Sequence, residues 1–142
     1  MTEIHRIGSF NIDMEDVFNE DRIGDFHTKN VGTMFIEVYN KEGQHIPHFH
    51  FFIKDKKING CLQIFKPEYF IHGRHKSTLT NKQLKQMYDY LKGYTFKTAS
   101  NWQRIVYAWY GENTDNKYKP ILKVTGDPSN TANMPNYLEL LK

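Results

Sequence analysis

A single cysteine, Cys61, is all the thiol chemistry this chain possesses, which excludes an internal disulfide and a cysteine-type zinc site and fits a reducing compartment. Placed in an apolar run, Cys61 is expected to pack as a small apolar side chain. Long hydrophobic stretches are missing too: none could span a bilayer or form the core of a signal peptide. A cytoplasmic protein with no membrane partner is the expectation. Charge of one sign is also scarce, 19 Lys and Arg against 16 Asp and Glu, for a formal net charge of +3. That balance permits a nucleic-acid partner but lacks a concentrated basic stripe. Glycine-rich phosphate loops, a Ser-His-Asp signature, internal repeats and low-complexity tracts are absent.

What is present is packing material. Across 142 residues, 39% hydrophobic and 15% aromatic, one domain with one core is expected. Residues 1–32 scatter apolar positions without a sustained period and read as a less regular segment, with short strands or a short helix near Met14–Asn19. From Thr33 to Tyr39, His48 to Lys54 and Ile58 to Phe65 the chain is β-branched and aromatic, with polar connections between the runs. Three such runs predict an antiparallel meander over about 33–66.

The period then shifts. Leu84, Met87, Tyr88 and Leu91 fall at helical spacing after Thr80 and before Gly93, predicting a helix at about 80–92. Trp102, Ile105, Val106 and Trp109 repeat the pattern at about 100–111, with Ser100 as cap and Gly111 as stop. The architecture expected is α+β, the meander with two amphipathic helices packed on one face. Residues 112–142 read as a loop-rich tail, with Ile121–Val124 as an edge strand and one helical turn between Pro135 and Lys142.

Histidine supplies the pointed chemistry. Alternation puts His48, His50 and Phe52 on one strand face and Phe49, Phe51 and Ile53 on the other. Two imidazoles on one face can ligate a divalent metal ion, with a third ligand from His45, His72 or His75 and a carboxylate such as Asp55 or Glu68. The alternative is that these histidines are merely the polar side of a sheet whose other face is apolar. Pro47 holds Ile46 extended before the strand. Arg74 and Lys76 make the loop carrying His72 and His75 cationic, suited to a phosphate, or simply solvated.

The run His45-Ile46-Pro47-His48-Phe49-His50, the strands and helix after it, and the pair Asn101-Trp102 resemble the bacterial domain-of-unknown-function family 4160, marked by H-x-P-H-F-H and a later N-W pair. The likeness extends from Thr33 to about Arg104 and departs at Ile46, where that family commonly has a second proline. It implies a compact α+β fold and a toxin–antitoxin or mobile-element setting, and it supplies no reaction.

Two classes of function compete. In the first, the chain is a small regulatory or interaction protein of mobile-element, phage or toxin–antitoxin type, such as an inhibitor, that binds a partner protein or nucleic acid. Tyr107, Tyr110, Tyr118 and Tyr137 are then contact candidates, or else ordinary packing. In the second, His48-Phe49-His50 followed by a tyrosine-bearing helix looks like a metal-dependent single-strand DNA nuclease, with Tyr90 or Tyr94 as nucleophile and Tyr88 in the core. Metal-assisted hydrolysis without a tyrosine is a third option, but no glutamate beside the histidines marks a general base.

Overall fold

The computed structural model describes residues 4–14, 31–40, 44–53, 58–71, 77–113 and 127–142. Four strands, β1 (Ile4–Asp13), β2 (Val31–Tyr39), β3 (His48–Ile53) and β4 (Asn59–Gln63), form one antiparallel sheet in the order β1-β2-β3-β4. The meander expected at 33–66 is there, and the first segment adds a strand to its edge. β1 escapes a period-2 reading because its register with β2 slips between Arg6 and Gly8. The extra residue in this bulge turns Ile7 inward and shifts the alternation from there on.

Registers assign the faces. Gly8 pairs with Ile36 and Phe10 with Met34 in β1/β2, while Ile36 pairs with Phe51 in β2/β3 and Phe49 with Leu62 in β3/β4. Directly opposed residues share a face, so this inner face is apolar. It is covered by α1 (Asn81–Lys92) and α2 (Asn101–Glu112), whose Leu84, Met87, Leu91, Trp102, Ile105 and Trp109 join Met34, Ile36, Val38, Phe49, Phe51 and Leu62 in one buried core. The other face carries Glu37, Tyr39, His48, His50, Phe52 and Cys61.

Both helices start alike. Thr80 Oγ1 accepts from the Gln83 N–H and Gln83 Oε1 from the Thr80 N–H; Ser100 and Gln103 repeat the exchange. These reciprocal bonds satisfy two orphan donors at each N-terminus. In each case the glutamine amide then reaches elsewhere, Gln83 Nε2 donating to Asp13 O at 2.8 Å and Gln103 Nε2 to Ser129 O at 3.1 Å. α1 ends at Lys92 with Gly93 as cap, whereas α2 runs through Gly111 and is capped by Asn113. The expected stop at Gly111 is therefore corrected by two residues: Asn113 closes the end by donating its backbone N–H to Trp109 O.

The tail is held more firmly than its composition suggests. It makes 3-10 turns at Thr131–Asn133 and Tyr137–Leu140. Tyr137 is fully buried, its hydroxyl 2.5 Å from Gln63 O and 3.0 Å from Ile64 O. Trp102 Nε1 also donates to Ile64 O. The strand expected at Ile121–Val124 and the short helix near Met14–Asn19 fall wholly or largely outside the described residues. Among the described residues no helix is long and apolar enough to cross a membrane.

Candidate metal centre

Hairpin register brings a third donor to the histidine pair. His50 lies directly opposite Cys61 across β3/β4 and opposite Glu37 across β2/β3, while His48 lies opposite Gln63. One ligand atom from each of His48, His50 and Cys61 falls within 4.8 Å of the others, and Cys61 Sγ is 3.3 Å from His50 Nδ1. Cys61 is buried, as its apolar context suggests, and its thiol also stands beside the two histidines as a candidate third donor. It completes the set of three that two histidines alone leave short.

The donors are buried, His48 at 1%, His50 at 7% and Cys61 at 5% exposure, so the histidines do not form a solvated polar face. Their rings are fixed. His48 Nδ1 stands 2.7 Å from Ile46 O; a carbonyl can only accept, so Nδ1 carries the proton and neutral His48 presents Nε2 as the lone-pair nitrogen. A metal-bound histidine needs this arrangement, its second nitrogen tied to a backbone carbonyl. Phe70 stacks on His48 at 4.2 Å between centroids, and Tyr39 lies flat on His50 at 4.0 Å. Pro47 contributes on two counts: it needs no partner for an N–H, and its carbonyl accepts from Ile64, anchoring the start of β3 beside the end of β4.

The set could hold a metal ion, and its donor types suit a thiophilic one. With metal–nitrogen and metal–sulfur bonds of about 2.0 and 2.3 Å, donor atoms of a tetrahedron stand roughly 3.3–3.7 Å apart. The Cys61–His50 pair is already at that spacing, and the remainder of the group has to close by about 1.5 Å at most. Imidazole and thiolate favour Zn2+ over Ca2+ or Mg2+, which select oxygen. Glu37, 3% exposed, is engaged by Arg6, whose Nε and Nη2 donate to Oε2 at 3.0 and 2.6 Å. The same guanidinium lies 4.3 Å from the Phe35 ring centre. This pair balances the carboxylate, so Glu37 reaches the site as a neutralised neighbour.

Beyond β4 the chain doubles back along its edge: Phe70 N–H donates to Cys61 O and Ser77 N–H to Asn59 O. Gly60 permits this approach, since a Cβ there would meet Ser77 O at 2.6 Å and Phe51 Cζ at 2.7 Å. The edge borders an open cavity of about 250 Å3 whose wall includes Cys61, Tyr69, Phe70, Ile71, Ser77 and Thr78.

The remaining expected site residues separate. His45 is exposed, edge-on to His48 at 6.3 Å and to Phe70 at 5.7 Å. His72, Arg74, His75 and Lys76 lie outside the described residues, as do Asp55 and Tyr118; the neighbours Ile71 and Ser77 both line the cavity beside Cys61. Glu68 is exposed and engaged by Gln63 Nε2 at 3.2 Å. Tyr90 sits on the opposite side of the sheet from the histidines. Its ring stacks on Phe10 at 4.7 Å and its hydroxyl rests over Gly8. The fold therefore does not bring Tyr90 to the histidine pair. Tyr94 is exposed in the α1–α2 connection. Tyr107 is exposed with its hydroxyl 3.0 Å from Ser129 Oγ, and Tyr110 is half-buried, which pushes its pKa up to about 12. Tyr137, expected as an exposed contact residue, is instead in the core.

No family model, curated protein or solved structure matches the chain, so the likeness to the domain-of-unknown-function family 4160 rests on the residues quoted for it.

Proposed function

We propose that this chain is a small binding protein whose outer sheet face is organised by a divalent metal, zinc by its donor chemistry, held by His48 Nε2, His50 Nδ1 and Cys61 Sγ. The observation that carries this reading is the convergence of three buried ligand atoms within 4.8 Å, drawn from two adjacent strands. The metal joins β3 to β4 and fixes the surface around Phe70 and His45. The chain acts by presenting such fixed surfaces to a partner protein or nucleic acid, in keeping with a regulatory or inhibitory role.

The test is metal content of untagged protein, measured by mass spectrometry beside unfolding curves in zinc and in a chelator. Wild-type protein is expected to carry about one equivalent of zinc and to gain roughly 2.7 kcal/mol when free zinc stands at 100 times its dissociation constant. Cys61→Ser and His48→Ala are expected to lose both the metal and the zinc-dependent gain. Metal-free wild-type protein whose stability is the same in zinc and chelator would overturn the reading.

A further inference from the structure

The charge of the chain is unevenly spread. Residues 90–111 contain Lys92, Lys97 and Arg104 and no aspartate or glutamate; Asp89, just before the stretch, stands 3.7 Å from Lys92 Nζ and shares that cation, so the excess positive charge of the connection lies on Lys97 and Arg104. Within it, the connection from α1 to α2 holds two large aromatics in water, Tyr94 at 60% and Phe96 at 58% exposure.

That connection is braced. Asn101, 2% exposed, donates its backbone N–H to Gly93 O at 2.8 Å and its side-chain Nδ2 to Tyr90 O at 2.9 Å. Phe96 and Ala99 form a β-bridge across the turn. Arg104 is aimed at the same place, its guanidinium 4.6 Å from the Phe96 ring centre and bonded to Asn101 Oδ1 at 3.1 Å. Aromatic rings kept in water on a turn tied at both ends cost hydration and gain nothing for the core. Their placement is explained by a ligand that offers flat faces and negative charge together.

We propose that this turn is a docking surface for single-stranded nucleic acid, bases stacking on Tyr94 and Phe96 while phosphates meet Lys92, Lys97 and Arg104. Unpaired bases supply π-faces, and the phosphate chain supplies the anion for Lys97 and Arg104 and competes with Asp89 for Lys92. Double helices, whose bases stack on one another, offer only the phosphates. The inference rests on the binding-protein reading above and names its partner class; it does not involve the metal.

The experiment is fluorescence anisotropy of a labelled oligo(dT) and oligo(U), with a duplex of equal length as control, in chelator and in zinc. Tyr94→Ala and Phe96→Ala are each expected to weaken single-strand binding by roughly 5- to 150-fold, the range for loss of one stacked base, while Tyr94→Phe and Phe96→Tyr retain it. Both positions are more than half exposed, so circular dichroism should show the alanine variants folded. Three phosphate contacts give a plot of log K against log salt with slope about −2, and Lys97→Ala lowers its magnitude by about 0.7. Absence of binding at low salt, equal affinity for the duplex, or alanine variants that bind as wild type would overturn the proposal. If zinc is nevertheless bound, the metal-organised reading stands with a protein as its partner; if oligonucleotide binds but wild-type protein carries no zinc and is equally stable in zinc and chelator, only the metal reading fails.

Discussion

At the scale of single residues, the tightest approach to a glycine among the described residues is that of Tyr90 to Gly8. A Cβ at position 8 would lie 2.1 Å from the Tyr90 hydroxyl oxygen but 3.4 Å from Cζ, so the obstacle is the oxygen and not the ring. Gly8→Ala is expected to destabilise by about 1–3 kcal/mol, and Tyr90→Phe, which removes the oxygen, to recover most of that loss. The double-mutant cycle in urea measures the coupling; additive losses would show that the strand, not the hydroxyl, demands glycine here. The histidines were legible at this scale because alternation within one strand is written in adjacent letters. Cys61 was not, because its place beside His50 depends on how β4 pairs with β3, and a slip of one residue would turn its thiol toward the helices. Tyr137 misled for the opposite reason: its polar neighbours Asn136 and Glu139 face water while its own ring does not.

Elements were read best where one local signal sufficed. The spacing of Leu84, Met87 and Leu91, bounded by Thr80 and Gly93, located α1 to within a residue. β1 was missed because its bulge disperses the apolar pattern over both phases of the strand. The choice of glutamine in both capping boxes carries a further lesson, since Gln83 and Gln103 serve the helix start with their oxygen and a separate segment with their nitrogen. Glutamate could do only the first. Gln83→Glu leaves the Asp13 carbonyl facing a buried carboxylate, beside the Asp13 side chain that Lys82 already engages at 2.7 Å. A loss of about 2 kcal/mol is expected there. Half-buried Gln103→Glu should lose about 1 kcal/mol. Thermal or urea unfolding decides the matter; glutamate variants more stable than wild type would mean that the favourable charge at the helix N-terminus outweighs the tie.

For the whole molecule, the aromatic content sets a limit at high pH. Burial raises the pKa of Tyr69, Tyr90, Tyr110 and Tyr137 above the ordinary value of 10, Tyr110 to about 12. The unfolded chain therefore releases these protons first, so stability is intact below about pH 10 and is lost as pH rises from there through about 12. Unfolding temperatures between pH 9 and pH 11.5 should fall, less so in Tyr110→Phe; a flat profile would contradict the burial of these hydroxyls. The layered α+β plan was visible in advance because it follows from the order of strand-period and helix-period segments, whereas the closing of the tail on the sheet depends on a side chain that bonds backbone carbonyls more than 70 positions away. That closure also sets a sequence of events in time. The carbonyls of Gln63 and Ile64 receive the Tyr137 hydroxyl over separations of 74 and 73 residues, so during folding the end of β4 and the indole of Trp102 wait for one of the last aromatic side chains to arrive. Until it docks, the sheet edge next to Phe70 and Cys61 is a doorway, and the amide protons around it should be among the late ones to gain protection from exchange.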